Sequence, residues 1–225
     1  MNQELCAYCD NPAMTRDHLP PEKLFTPPLP DNLITVPACD QCNNGASNDD
    51  EVFRNELSIM AGSFGESAKA AERLQPALRG IRRNKAMLKR MVTASQLVER
   101  YTPSGLYLGH GYAVPVVPGV QQRVINRIVR GLYWHHLQTR LGDDAQVTLV
   151  FIDKRKPHWR EALYTFQSLH LRHVVIGDGE TFQYLYGRAN DDPAFSVWLL
   201  IFFKGTGEQI VLALTQRDTA EKTAR

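Results

Sequence analysis

Apolar residues recur along the second half of the chain in runs that predict an α+β fold. Short apolar runs, bounded by turns that contain Gly and Asp, predict a hairpin or strand over 105–117 and strands at 146–152, 173–177, 181–187, 195–203 and 209–214. Residues 120–141 instead predict a long helix, with apolar side chains at Val124, Ile128, Leu132 and Leu137. We also predict a short helix over 157–169. The pattern indicates an α+β accessory domain with a mostly antiparallel sheet over 103–217 and a polar tail over 218–225.

The first 65 residues show a different alternation. A short strand ends in "TRDH", a proline-rich loop follows, and the β-branched stretch "LITVP" predicts a second strand. From about Asp49, apolar residues lie along one helical face, at Val52, Phe53, Leu57 and Met60. Strand, loop, strand and helix form a compact ββα unit, which we assign to residues 1–65.

Between these two regions lies a basic segment, which we treat as a helical connector over 66–102. Basic and apolar residues alternate in it at a spacing that suits one or two amphipathic helices, broken around Pro76 or Gly80. Charge is therefore divided unevenly: residues 1–65 carry a balance of −7, residues 66–100 of +6 and residues 101–225 of +3.

The composition is that of a globular protein, with 43% hydrophobic and 22% charged residues. The start of the chain has no basic region followed by an apolar one, so we expect no signal peptide. The longest apolar run, 195–203, is too short to span a bilayer and predicts a buried strand. We therefore expect a cytoplasmic protein that does not enter a membrane.

All four cysteines lie near the start of the chain, as the two Cys-x-x-Cys motifs "CAYC" and "CDQC", which contain Cys6, Cys9, Cys39 and Cys42. Two such motifs bring four thiolates together with little backbone strain, which suits tetrahedral zinc. Disulfide bonds and a redox-active Cys-x-x-Cys are the alternatives. A zinc ion with four thiolate ligands has no open position for catalysis, so we expect a structural site.

These motifs carry a resemblance to a known family. In the order "CAYC", "DH", "DNL" and "ACDQCNNGASND", residues 6 to about 57 resemble an HNH endonuclease domain of the ββα-metal type, in the branch with a four-cysteine zinc site. The resemblance covers about a quarter of the chain. It implies hydrolysis of phosphodiester bonds, with DNA as the expected partner and a role in defence against foreign DNA, beside a partner ATPase or sensor or as a homo-oligomer.

The resemblance also implies a role for individual residues. His18 is the expected general base, since a neutral imidazole accepts a proton near pH 7. Asp17 and Asn43 are the expected ligands of a catalytic Mg²⁺ or Mn²⁺, with Asn44 as the next candidate. Asn32 is expected to hydrogen-bond across the loop and to orient His18.

One departure concerns the last metal position, where many family members have a histidine and this chain has "NNGASNDD". A hard-metal site is still expected, because asparagine occurs there in several branches of the family. Asn48 and Asp49 are further candidates to approach the metal.

An acidic nuclease unit needs positive charge to hold a polyanion. The basic segment supplies it, and the expected nucleic-acid-binding residues are Arg79, Arg82, Arg83, Lys85, Lys89 and Arg90. Three alternatives stay open: a solvated basic face without contact to nucleic acid, a catalytically silent zinc-stapled binding module, and a nuclease subunit that a partner activates. For His135 and His136 we expect packing, because no cluster of further ligands accompanies them.

Overall fold

The ββα arrangement predicted for the N-terminal region is present. In this computed structural model, residues 3–62, 67–102, 104–153, 159–161, 164, 170–192, 194–205 and 208–217 are described. Strand β1 (Thr15–Leu19) pairs antiparallel with β2 (Ile34–Ala38), and His18 lies opposite Thr35. A short helix α1 (Asp40–Asn43) follows β2 directly, and α2 (Ser47–Gly62) follows after a 3-10 turn. Val52, Phe53 and Leu57 are buried on α2, as its apolar spacing predicts.

The basic segment forms two helices and a strand. Helix α3 (Ala68–Arg83) contains Pro76, and α4 (Lys85–Ala94) begins where the Asn84 side chain accepts a hydrogen bond from the amide of Met87. The break therefore lies at Asn84 and not at Pro76 or Gly80, because an asparagine cap stabilises a new helix start. The end of the segment is also not helical: β3 (Gln96–Tyr101) pairs with β4 (Tyr107–Ala113) in an exposed hairpin.

In the C-terminal region a long helix packs against an antiparallel sheet. Helix α5 (Val120–Leu137) ends at Gln138, which has a left-handed conformation and donates its amide to the Trp134 carbonyl. Strands β5 (Ala145–Ile152), β6 (Arg172–Ile176), β7 (Phe182–Arg188), β8 (Ser196–Phe202) and β9 (Gln209–Arg217) form an antiparallel sheet in the order β5-β9-β8-β7-β6. The α+β class and the antiparallel sheet are thus confirmed. The predicted helix at 157–169 falls largely, and the tail 218–225 entirely, outside the described residues.

One hydrophobic core joins the β1–β2 hairpin, the helices α2 to α5 and the C-terminal sheet. It joins Leu19 of β1, Phe53 of α2, Ile128 of α5 and Trp198 of β8, and Phe53 meets Phe202 edge to face at 5.6 Å. Burial of side chains this large removes much apolar surface from water and fixes the N-terminal unit against the C-terminal sheet.

The approach of α5 to β1 depends on a glycine. A Cβ added at Gly131 would lie 2.5 Å from Leu19 Cδ1 and 2.9 Å from the Tyr8 hydroxyl, so no other residue fits without a shift. This contact brings the preceding turn of α5, which carries Arg127, toward β1. Among the described helices, none is long and apolar enough to cross a lipid bilayer.

Candidate active site and metal centre

The four cysteines converge into one cluster at the N-terminal edge of the β1–β2 hairpin. Cys6 and Cys9 lie in a loop before β1, closed by a hydrogen bond from the Cys6 amide to the Asn11 carbonyl. Cys39 follows β2 and Cys42 lies in α1. All four Sγ atoms lie within 4.8 Å of one another. The cluster can hold a structural metal ion such as zinc.

The sulfur separations support tetrahedral coordination. Cys9 Sγ lies 3.7 Å from Cys39 Sγ and 3.8 Å from Cys42 Sγ. Four thiolates at a Zn–S distance of about 2.3 Å place their sulfurs about 3.8 Å apart, whereas a disulfide bond is about 2.0 Å long. All four cysteines are free thiols, so the disulfide alternative is not what the structure shows.

The local charge favours a thiolate at Cys39. Burial opposes its ionisation, but hydrogen bonds from the Cys42 backbone and from neighbouring thiols lower the pKa of Cys39 to about 7. Burial and the neighbouring thiols raise the pKa of Cys42. Ionisation of all four thiols therefore needs a cation to balance the negative charge, which is what a metal ion supplies.

Next to this cluster, β1, the loop after it and the start of α2 enclose a cleft of about 600 Å³, here called the His18 cleft. Three of the predicted site residues, Asp17, His18 and Asn43, line it together. Further polar residues line the same cleft: Arg16, Glu22, Lys23, Asn44, Ser47, Asn48, Asp50, Glu51 and Arg54. The cleft is thus rich in oxygen donors and lies on the surface of the ββα unit.

Asp17 lies at the buried side of this cleft, with only 3% of its surface exposed. Its Oδ2 accepts a 2.6 Å hydrogen bond from the Tyr8 hydroxyl and lies 3.2 Å from Arg127 Nε. The contact with Nε is an ion pair without a directed hydrogen bond. Burial raises the pKa of Asp17, while the charge of Arg127 and the Tyr8 hydrogen bond oppose the rise. These two contacts involve Oδ2 and not Oδ1.

Arg127 links Asp17 to a second carboxylate. Its Nη2 donates a 2.5 Å hydrogen bond to Asp50 Oδ1, and its side chain is only 11% exposed. Burial raises the pKa of Asp50, and Arg127 opposes that rise. Two carboxylates and one guanidinium leave the buried group with one net negative charge, which is compatible with binding a cation in the cleft.

His18 faces the opposite side of β1 from Asp17, as expected for adjacent strand residues. Its side chain is about one-third exposed, and its Nδ1 lies 3.7 Å from Glu22 Oε2. Glu22 begins the 3-10 turn that follows the double proline. A carboxylate at this position attracts the imidazole ring once the ring is protonated, and the imidazole is accessible from the cleft.

Asn43 reaches from the end of α1 to β1. Its Nδ2 donates to Thr15 Oγ1 at 3.0 Å and to the Arg16 carbonyl at 3.1 Å, so the amide is fixed by its nitrogen. Asn44 instead donates to Asp40. Asn48 lines the cleft, whereas Asp49 is bound by Arg123 through two hydrogen bonds of 2.6 and 2.9 Å.

Asn32 lies in a different place from the one expected. Its Nδ2 donates to the Val175 carbonyl at 2.9 Å, and its Oδ1 accepts from the Gly177 amide at 2.8 Å. Both hydrogen bonds go to the end of β6 and the turn after it, and not to His18. The role of orienting His18 is therefore corrected: Asn32 connects the loop to the C-terminal sheet, because the sheet edge offers an unpaired carbonyl and amide there.

The six basic residues expected to bind nucleic acid lie on α3 and α4, and every one of them is exposed: Arg79, Arg82, Arg83, Lys85, Lys89 and Arg90. Exposure is what contact with phosphate requires, although it also fits a solvated face.

His136 packs as expected. Its ring stacks on Tyr186 at 4.0 Å, and its Nε2 lies 2.7 Å from the Tyr184 hydroxyl.

Four residues of the site were not predicted from the sequence: Tyr8, Glu22, Asp50 and Arg127. A signal existed for Arg127, which lies three residues after the buried Val124 and hence on the apolar face of α5, where an arginine needs a partner. Glu22 follows His18 by four residues across two prolines, and no simple period reveals that contact.

Comparison with protein-family models, with curated proteins and with solved structures finds no match.

Proposed function

We propose that this protein is a metal-dependent HNH-type endonuclease that hydrolyses phosphodiester bonds in DNA. The observation that carries the proposal is the shared cleft. His18, the buried carboxylate of Asp17 and the amide of Asn43 line it together, beside the four-cysteine cluster. These are the groups that water activation and charge stabilisation at a phosphate require.

His18 is the general base of the proposed reaction. Its neutral imidazole accepts a proton from water, the water oxygen attacks phosphorus, and the bond between phosphorus and the departing oxygen breaks. The departing oxygen then takes a proton from solvent water, and His18 returns its own proton to solvent. Glu22, 3.7 Å from Nδ1, positions the ring and stabilises the imidazolium that forms. The exposed side of β1 leaves room for the substrate.

The donor set of the cleft fits a hard divalent cation, Mg²⁺ or Mn²⁺, because it consists of carboxylate and amide oxygens. Asp17 would hold the ion through its carboxylate and Asn43 through its side-chain carbonyl oxygen. Asp50 would add a negative charge nearby. When bound, such an ion stabilises charge on the phosphate and the departing oxygen. Zinc in the cysteine cluster serves as a scaffold, since Cys42 fixes α1 and with it the adjacent Asn43.

The proposed substrate is DNA, with α3 and α4 as the surface that attracts it. A role in defence against foreign DNA, in the cytoplasm and beside a partner ATPase or sensor or as a homo-oligomer, fits a nuclease of this type. This biological setting rests on the family resemblance alone.

The test is incubation of the purified chain with supercoiled plasmid and Mg²⁺ or Mn²⁺. Nicking or linearisation is expected, with loss in EDTA and in His18→Ala. His110→Ala is the matched control, because His110 is exposed on the β3–β4 hairpin and lies outside the cleft. Cleavage that survives His18→Ala contradicts the mechanism.

A second candidate is a silent nucleic-acid-binding module or a nuclease that a partner activates. The observation that favours it is Arg127, whose guanidinium already lies against both Asp17 and Asp50. In that case pure protein binds DNA without cleaving it, and binding is indifferent to Mg²⁺ and to His18→Ala. A partner that draws Arg127 away would then restore cleavage.

A further inference from the structure

A second cleft lies between α2, α3 and the loop that carries Lys23, with a volume of about 590 Å³. We call it the α2–α3 pocket. Five cationic side chains and one carboxylate line it, which gives a balance of +4, five minus one: Lys23, Arg54, Arg73, Arg79, Arg83 and Glu51. Arg79 and Arg83 are among the expected nucleic-acid-binding residues, and Arg73 lies on the same helix of the basic segment. Lys23 and Arg54 come from outside that segment and were not predicted.

The positive charge of the pocket is not balanced by the protein. In the part of the chain that the structure describes, no ion pair within 4 Å joins any of its four arginines to a carboxylate. Arg73 Nη2 donates to the Lys23 carbonyl at 2.7 Å, and its Nε is buried with no hydrogen-bond partner. A buried guanidinium nitrogen without an acceptor is unfavourable unless an anion supplies one.

Electrostatic crowding leads to the same conclusion. Burial lowers the pKa of Arg54, against the charges of Glu51 and Asp50, and burial together with the charge of Arg54 lowers the pKa of Arg73. Guanidinium groups nevertheless remain protonated, so the like charges stay close together. An oxyanion with several acceptor oxygens relieves this repulsion and satisfies several N–H groups at once.

The pocket adjoins the His18 cleft. Lys23, Glu51 and Arg54 line both cavities. An extended polyanion can therefore occupy both at once, with one phosphate near His18 and a neighbouring one among the arginines.

We propose that the α2–α3 pocket is a phosphate-binding subsite that holds the backbone of a nucleic-acid strand flanking the His18 cleft. The inference rests on the proposed function and adds to it the surface that positions the strand. Arginine forks recognise phosphate oxygens in pairs, so this subsite fixes position without reading base sequence. The remaining basic residues of α3 and α4 then attract the strand at longer range.

The test measures binding of a short fluorescein-labelled single-stranded DNA by anisotropy, in EDTA so that no cleavage occurs, at several salt concentrations. Relative to the unaltered chain, Arg79→Gln/Arg83→Gln is expected to weaken binding by about tenfold or more and to lower the slope of log K against log salt by about one to two. Arg82→Gln is the comparison, because Arg82 is exposed on the same helix but does not line the pocket. It is expected to weaken binding less than either single pocket variant, Arg79→Gln or Arg83→Gln.

Each other outcome overturns the inference. It fails if the pocket variants bind with unchanged affinity and salt slope, if Arg82→Gln weakens binding as much as they do, or if the unaltered chain does not bind the strand. A further competition experiment adds inorganic phosphate. If it displaces the labelled strand as effectively as unlabelled DNA at the same concentration of phosphate groups, the pocket is a site for free anions instead. Thermal unfolding of each variant shows that it is folded.

The readout separates this inference from the proposed function, because it does not depend on cleavage. Pocket-dependent binding by a chain that never cuts plasmid supports the subsite and contradicts a nuclease that is active without a partner. Cleavage by a chain whose binding ignores the pocket supports the nuclease and contradicts the subsite.

Discussion

Asp17 on β1 and Arg127 on α5 form an ion pair at 3.2 Å in which the two side chains are 5% and 11% exposed. The contact joins residues that are 110 positions apart and connects the ββα unit to the C-terminal region. Arg127 also reaches Asp50, so a residue outside the region that resembles HNH nucleases sets the charge around the expected metal ligand. The stability of the fold and the proposed activity of the cleft therefore involve the same guanidinium.

Replacement of Arg127 by methionine is expected to lower the free energy of unfolding at pH 7.5 by about 3–5 kcal/mol, because two buried carboxylates lose their partner. Burial already raises the pKa of Asp17 and Asp50, so the folded variant binds protons more tightly than the unfolded chain. The difference in free energy of unfolding between the variant and the unaltered chain is therefore expected to shrink as pH falls toward 5. Urea unfolding at both pH values measures this.

The matched control for Arg127→Met is Arg123→Met on the same helix. Arg123 also pairs with an aspartate, Asp49, but its side chain is 59% exposed. Little change in the urea midpoint is expected, since exposed pairs contribute little. Equal effects of the two substitutions would show that burial of the Asp17–Arg127 pair is unimportant.

The cysteine cluster is expected to contain one zinc ion per chain. Elemental analysis checks the content, and a thiol reagent is expected to react with all four cysteines only after a chelator removes the metal. Removal should also lower the thermal midpoint, because a structural metal site stabilises the fold. Cys9→Ser is expected to lose the metal, whereas Asp10→Asn, beside it and 81% exposed, keeps it. Rapid reaction of the thiols before chelation would contradict the site.

Asn32→Ala separates a structural from a catalytic role. Loss of its hydrogen bonds to Val175 and Gly177 is expected to lower the free energy of unfolding by about 1–2 kcal/mol, with plasmid nicking retained within a few-fold. Asn43→Ala, which alters the cleft itself, is expected to abolish nicking. If Asn32→Ala abolished nicking without loss of stability, the residue would have the orienting role first expected from the sequence.

His136 is expected to make stability depend on pH. Burial, then the charges of His135 and Arg172, lower its pKa to about 4 in the folded chain. The unfolded chain binds the proton more tightly, so the stabilisation is present above pH of about 6.5 and is lost as pH falls toward 4. His136→Phe should reduce the loss of unfolding free energy between these pH values by about 1–2 kcal/mol. This value is small because the side chain is partly exposed and solvent screens its charge. His110→Phe, at an exposed site, should leave the pH dependence unchanged.

Local patterns in the sequence were sufficient for most of the elements. The Cys-x-x-Cys spacing predicted the thiol cluster, because two such motifs need only one hairpin to bring them together. Short apolar runs bounded by turns predicted the five strands of the sheet, and the spacing of Val124, Ile128 and Leu132 predicted the buried face of α5. Strand β3 was missed because its residues are all exposed, so burial leaves no period in the sequence.

Contacts over long sequence distance were decided by the tertiary structure alone. The sequence by itself placed Asp17 beside His18, and its resemblance to HNH nucleases implied a chemical role for each of them. Only packing of α5 onto β1, across Gly131, brought Arg127 to Asp17, and only the edge of the C-terminal sheet drew Asn32 away from His18. Hydrophobic periodicity reports which face of an element is buried, but the partner of a buried charge depends on which faces meet when the chain folds.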